Sequence, residues 1–321
     1  MGKIMLRISA VIIVAFLVPY LLTMLISGAP LKVSQYAGQN LVIQSDVFKT
    51  GKAYTLDDYI MSALAANISL DSEMETLKAQ AVIIRTMVYY TLNEVRADNQ
   101  EAKLTLQELG LNLMTMEELK NQYEDEIYNE YVSKLENAVY STKGQVLMYD
   151  HGVILPYFHY SNAGQTRSYE EAFGQKIPYL VSVPSANDVE ASVANYTSEV
   201  KVGDAIKQLE KVFSIEGLTD DNFFSSISIS KRDATGYVKE VKIGDTSVKG
   251  EEFQEVFSLN STNFYMENSD GKIRFVCKGK GSGLGFSQYG ANCLAEDGND
   301  YTTLLTYYFT GVSVTEKEGE E

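Results

Sequence analysis

An uncharged run, ISAVIIVAFLVPYLLTMLI from Ile8 to Ile26, restricts this chain more than any other feature. At 1.5 Å per residue a helix of about 20 residues spans a hydrocarbon core of about 30 Å. Backbone groups in lipid must be satisfied internally, so the run is expected to be helical, with Pro19 a tolerated kink. Lys3 and Arg7 precede it, and no basic residue follows before Lys32. That asymmetry places residues 1–7 in the cytoplasm, 8–27 in the membrane, and everything after outside. A cleaved signal peptide is the alternative, since Ser27-Gly28-Ala29 supplies small residues, but the run exceeds a usual signal core. The expectation is an uncleaved, single-pass signal-anchor in the cell membrane.

The rest of the chain is an acidic body. The whole chain's 27 basic and 43 acidic residues give a net charge of −16, which argues against nucleic acid, whose binders show a basic footprint. Apolar residues make up 45%, enough for a globular core. Two cysteines cannot build a disulfide scaffold or a four-thiolate zinc knuckle. Cys277 and Cys293 could pair outside the cytoplasm, and the sequence leaves this open. His-dependent chemistry has only His151 and His159 to draw on. With no Trp and 22 Tyr, tyrosine is the stacking residue available to a ligand.

Periodicity places the elements. Residues 28–54 read as a tether and a first strand around Leu41-Val42-Ile43. Thr55 and Asp58 have capping-box spacing, and Leu56, Tyr59, Ile60, Ala63 and Leu64 then recur at helical intervals. Ser72 and Glu75 repeat the signal ahead of a helix to about Arg96, with Leu77, Ala81, Ile84 and Val88 on one face. Residues 101–140 read as helical, with a break at Gly144. Val146–Tyr149, a turn at Asp150-His151-Gly152 and Val153–Leu155 signal a hairpin. Strands are expected near 179–183, 226–230, 237–243 and 273–277, and a helix over 287–296. Helices and hairpin-linked strands mix without a βαβ repeat, so the class is α+β, a mixed helix and antiparallel-strand body over 55–315 with an acidic tail at 316–321.

Five segments fall in a telling order. They are Leu56-Asp57-Asp58-Tyr59-Ile60, then Leu77-Lys78-Ala79-Gln80-Ala81-Val82 with Arg85-Thr86, and Tyr157 to Thr166 (YFHYSNAGQT) with Pro178-Tyr179-Leu180 downstream. Gly281 to Ala291 (GSGLGFSQYGA) and Tyr301 to Gly311 complete the set. Together they resemble the stage II sporulation protein D and LytB-type amidase-enhancer family. The resemblance implies a protein in the space between mother cell and forespore that acts on peptidoglycan glycan strands. Members resemble lytic transglycosylases, in which a carboxyl protonates the glycosidic oxygen and the muramic sugar closes to an anhydro product. That chemistry needs one carboxyl able to hold a proton. The implied partners are an amidase that removes stem peptides and a membrane protein that collects both. Zinc occurs in some relatives, but the spacing of His159, Cys277 and Cys293 does not support a site here, so no cofactor is expected.

The resemblance fails at sites of chemistry. The family's acidic residue lies thirteen positions before Gln80, and Asn67 stands there. An amide cannot supply a proton near neutral pH. Ser282 stands where relatives carry His, and Asn162-Ala163-Gly164 replaces a more glycine-rich run. Asp71, Glu73, Glu75, Asp57 and Asp58 lie nearby, but each is explained as a helix cap or dipole partner, worth about 0.3–1 kcal/mol. Lys78 fits a solvated face, whereas Gln80 and Arg85 either line a polar cleft or tie their helix to neighbouring loops. Ser287 reads as a helix cap and His159 as a packed, hydrogen-bonded residue. The expected site is Asn67 at the catalytic position, with Gln80, Arg85, Ser161, Ser282, Gln288 and Tyr289 contacting glycan. The expected function is a strand-binding sporulation protein that supports an amidase. The alternatives are an active transglycosylase using another carboxylate and a non-catalytic wall scaffold.

Overall fold

One helix is buried on nearly every side, and the other elements are arranged around it. The computed structural model describes Val42–Ile43, 54–98 and 104–316. The expected anchor, most of the tether and the tail beyond Glu316 lie outside the described residues. No helix among the described residues is long and apolar enough to cross a membrane.

Val42–Ile43 pairs antiparallel with Tyr54–Thr55. Thr55 then opens α1 (Leu56–Asn67) with a capping box, its side chain accepting from Asp58 N while Asp58 accepts from Thr55 N. The helix α2 runs over Met74–Asp98. Glu75 is not the cap partner expected for Ser72, because its carboxylate accepts from Lys78 Nζ and from Tyr301 N. The stretch expected to be helical over 101–140 is three helices, not one. Capping boxes at Thr105 and Thr115 open Leu106–Leu109 and Met116–Gln122, Gly110 ends the first in the left-handed region, and α3 follows over Asp125–Tyr140. Each box satisfies orphan N–H groups locally, so each Thr restarts a helix.

The face of α2 bearing Leu77, Ala81, Ile84, Val88 and Leu92 packs with α1 and with Tyr131, Leu135, Ala138 and Val139 of α3. Its opposite face, Ala79, Val82 and Ile83, packs on Phe286, Leu304, Leu305, Tyr308 and Phe309. Polar groups trapped between these faces must find partners, since an unsatisfied buried group costs about 1–3 kcal/mol. Thr86 accepts from Leu147 N and donates to Val82 O. Arg85 donates to Val139 O at 3.1 Å and Thr142 O at 2.8 Å, so its guanidinium closes the C-terminal end of α3.

The sheets are small and mostly antiparallel. Lys272–Lys278 lies between Phe264–Ser269 and Asn195–Lys201. Val238–Ile243 lies between Ile227–Arg232 and Thr246–Lys249. Their apolar faces enclose a second core with α4 (Val202–Val212) and α5 (Gly250–Val256), in which Leu209, Phe253, Phe264 and Phe275 are buried. Gln145–Tyr149 pairs with both Ser313–Glu316 and Gly152–Val153, the expected hairpin. One pair is parallel, Phe158–His159 with Phe286–Ser287. The strand expected near 179–183 is absent: Leu180 N closes a turn onto Ile177 O, and Thr166 bonds to Val183 instead. The helices α6 (Gln288–Glu296) and α7 (Tyr301–Tyr308) close the chain. Cys277 and Cys293 are free thiols, Cys277 buried on its strand. The mixed α+β class holds.

Arg85→Lys should lower stability by about 2–3 kcal/mol, because one ammonium cannot satisfy carbonyls spread over three residues. Urea unfolding measures this, and a variant as stable as the native chain would remove Arg85 from the closure of α3.

Candidate functional site

The site forms where the loop between α1 and α2 meets the start of α6. Gln288, the first residue of α6, donates from Nε2 to Asn67 O at 2.9 Å and to Gln80 Oε1 at 3.2 Å. One amide thus ties the end of α1 to the middle of α2. From the next turn of α6, Asn292 Oδ1 accepts from Glu73 N at 2.8 Å, holding the loop. Tyr289 N donates to Tyr160 O, and the two tyrosine rings lie 6.3 Å apart at 50°. Between these parts is a cavity of about 200 Å³ lined by Ile68, Ser69, Asp71, Ser72, Tyr160, Gln288, Tyr289 and Asn292. Asp71 is the carboxylate in that lining, and its Oδ1 accepts from Tyr131 Oη at 2.7 Å. The same carboxylate pushes the Tyr131 hydroxyl up to about 12, so Tyr131 remains a donor at neutral pH.

The residues expected from sequence separate into three groups. Gln288 and Tyr289 line the cavity. Asn67 and Gln80 join Gln288 behind it, but the Asn67 carboxamide does not enter the lining. Its Nδ2 donates to Ala63 O at 2.8 Å and to Asn112 O at 2.7 Å. Gln80 is fully buried, and its Nε2 has no partner among the described residues. Arg85, Ser161 and Ser282 are placed elsewhere. Arg85 is committed to α3, Ser161 is buried beneath its strand, and exposed Ser282 accepts from Leu284 N. Asp71 and Tyr160 contribute more to the cavity than the sequence suggests. Asp71 has the spacing of an ordinary cap, and Tyr160 is one of 22 tyrosines.

The alternating glycines set Tyr160 in place. Gly279 (φ +70°) lies so close to Ser161 that an added Cβ would come 2.6 Å from its carbonyl oxygen. At Gly285 (φ +66°) an added Cβ would fall onto the Tyr157 carbonyl. Both positions need positive φ and no side chain, so the loop can lie directly against the 157–161 segment. Behind the loop is a buried polar network. His159 Nδ1 lies 2.9 Å from Leu284 O and therefore carries the proton, leaving Nε2 to accept from Asn162 Nδ2 at 3.1 Å. Asn162 Nδ2 also donates to Asp188 Oδ2, and Ser287 Oγ donates to Asp188 Oδ1 at 2.7 Å. Ser287 in turn accepts from Gly290 N, capping α6 as its position suggests. Burial pushes Asp188 up to about 6 and His159 down to about 4.

A zinc ion does not fit these residues. Both His159 nitrogens are engaged, Cys277 is buried on a strand, and no group of three His, Cys, Asp or Glu among the described residues could hold a metal.

The two shifted groups act in opposite senses on stability. Asp188 rises from 3.8 to about 6, so its contribution is present below pH 3.8 and is lost as pH rises through 6. His159 falls from 6.5 to about 4, so its contribution is present above pH 6.5 and is lost as pH falls towards 4. Each amounts to about 3 kcal/mol, and they nearly cancel between pH 7 and 4. Asp188→Asn should therefore lose stability on acidification over that range, relative to the native chain, whereas His159→Gln should gain it. Parallel responses of the two variants in urea unfolding at pH 7 and 4.5 would contradict the network.

Comparison with known proteins now has a structure to rest on. Residues 44–149 match the family model described as Stage II sporulation protein. Stage II sporulation protein D of Bacillus amyloliquefaciens is 26% identical over 272 residues, covering 82% of this chain and 75% of its own. The protein of the same description from Bacillus subtilis (strain 168) is 24% identical with the same coverage. An amidase enhancer of Bacillus subtilis (strain 168) is 24% identical over 57% of this chain and 33% of its own length. The matched region contains α1, α2, α3 and the loop with Asp71, and over it the chain is similar to the stage II sporulation protein D family.

Proposed function

We propose that this chain is a sporulation cell-wall protein that holds peptidoglycan glycan strands in the cavity beside α6 and supports an amidase without cleaving the strand. The observation behind this reading is the cavity's chemistry combined with the orientation of Asn67. Two tyrosine faces, two amides, two serines and a carboxylate give a sugar both stacking surface and hydrogen-bond partners. At the position of the family's acid, the Asn67 amide is turned onto two backbone carbonyls and has no proton to give. The named relatives support the setting, one described as an amidase enhancer and others as stage II sporulation proteins. A sporulation amidase and a membrane scaffold protein are the proposed partners.

The second reading, an active transglycosylase, has one observation in its favour: Asp71 places a carboxylate in the cavity. Asp71 is exposed, however, and its carboxylate is bonded to Tyr131 Oη. Purified full-length chain should pellet with glycan strands, and Gln288→Ala or Asp71→Asn should weaken binding by about 1–3 kcal/mol. Mass spectrometry of amidase-treated peptidoglycan after incubation should show no anhydro-muropeptides above background. Anhydro products that vanish with Asp71→Asn would establish the enzyme reading instead. Asn67→Glu is not expected to create activity. It sets a carboxylate against the carbonyls of Ala63 and Asn112 and should cost stability by about 1–3 kcal/mol or more.

The proposed location is the cell membrane, with the body on the outer side in the space between mother cell and forespore. Lys3 and Arg7 ahead of the uncharged run support it. A reporter fused after Glu321 should be active only outside the cytoplasm, and cytoplasmic activity would end the proposal.

A further inference from the structure

A second cavity lies along the strand that presents Tyr160. It measures about 180 Å³ and is lined by Asn162, Ala163, Val189, Ala194, Asn195 and Lys278. Tyr160 faces the first cavity and Asn162 this one, so the two are separated by about two residues of one extended segment, some 7 Å. Lys278 and Asn195 are direct neighbours across antiparallel strands, which fixes an ammonium beside an amide in the lining. Lys280, two residues on, places its Nζ 5.6 Å from the centre of the Tyr160 ring. Lys278 thus lines the second cavity, and Lys280, just beyond the strand, lies over a ring that lines the first.

The charge here runs against that of the molecule. The chain has a net charge of −16, yet Lys278 and Lys280 are both exposed and neither forms an ion pair among the described residues. Lys278 Nζ lies 5.2 Å from the ring centre of Tyr265, and the Arg232 guanidinium lies 4.4 Å from the same ring. Arg232 spends its donors on Gly236 O and Phe264 O. Lys278 and Arg232 share the Tyr265 ring, Asp233 lies beside Arg232 and Asp188 is bonded to Asn162 behind the lining, so Lys278 is the cation that the cavity itself presents.

We propose that this second cavity is an anion-reading subsite, which takes a carboxylate-bearing substituent of the strand whose sugar occupies the first cavity. Lys278 meets the carboxylate, Asn195 supplies an amide donor beside it, and Lys280 covers the boundary between the subsites. The inference rests on the strand-binding reading and adds to it a preference for charged strands. The carboxylate has two sources in peptidoglycan, the lactyl ether of muramic acid and the stem peptide.

The test is calorimetric titration of the full-length chain with three probes: strands with stem peptides, strands stripped by an amidase, and stripped strands whose carboxylates have been converted to amides. Lys278→Gln with Lys280→Gln should weaken binding to charged strands about tenfold and leave amidated strands unchanged, as expected for two exposed ion pairs. Salt at about 0.5 M should reduce native binding to charged strands towards that of the variant. A larger loss on peptide-bearing strands assigns the carboxylate to the stem peptide, and a larger loss on stripped strands to the lactyl ether. An equal loss on amidated strands, or none on charged ones, would overturn the subsite. If Gln288→Ala weakens all three probes while the lysine pair changes none, strand binding stands and only this inference fails. If the native chain binds no probe, both fall.

Discussion

The burial of α2 on both faces is the constraint from which the site follows. The buried middle of this helix cannot leave its polar residues to water, and three of them join α2 to other elements. Arg85 reaches the carbonyls at the end of α3, Thr86 the amide of Leu147, and Gln80 the amide of Gln288. The last of these links fixes α6 against the end of α1, and the cavity is the space left beside it. Gln80 and Arg85, which look like candidate ligands from sequence, are in this chain bonds that position neighbouring elements. The family motif on α2 is therefore first a packing motif.

The second determinant is close backbone approach. The glycine loop lies against the 157–161 segment only because Gly279 and Gly285 have no side chain and tolerate positive φ. That contact buries His159, Asn162 and Asp188 where water cannot reach them, so the network must satisfy itself. It does so consistently. His159 donates from Nδ1 and accepts at Nε2, Asn162 uses both amide protons, and Ser287 relays the carboxylate to the start of α6. Tyr160 and Tyr289 lie one residue from His159 and two from Ser287, so their ring geometry is set by the same buried chain of bonds.

Local signals were legible in the sequence and long-range ones were not. Thr55 with Asp58 marked the start of α1, and the Leu77, Ala81, Ile84, Val88 period marked one buried face of α2. The second buried face was hidden, because a helix apolar on all sides has little amphipathic contrast. Residues 101–140 read as helical since Glu, Lys and Leu all favour helix, and the capping boxes at Thr105 and Thr115 show where separate helices start. Arg85 was open to two readings because sequence shows a cation on a helix but not the carbonyls it meets. Asp71 was assigned to capping because its spacing fits a cap, and only the fold brings Tyr131 and α6 to it. Asp188 had no motif at all, since its role comes from burial among residues distant in sequence.

Under the strand-binding proposal, an amide at residue 67 and an open cavity beside α6 are compatible for a structural reason. In this fold the side chain of residue 67 lies outside the lining of the cavity, although its backbone is bonded to it. Gln288 grips residue 67 through its backbone carbonyl, a contact available to any side chain. The side chain at 67 is then free to change without loosening α6. Asn uses that freedom to bond Ala63 and Asn112, tying α1 to the segment after it. A carboxylate there would face the carbonyls of Ala63 and Asn112, so these surroundings suit an amide donor and disfavour an acid.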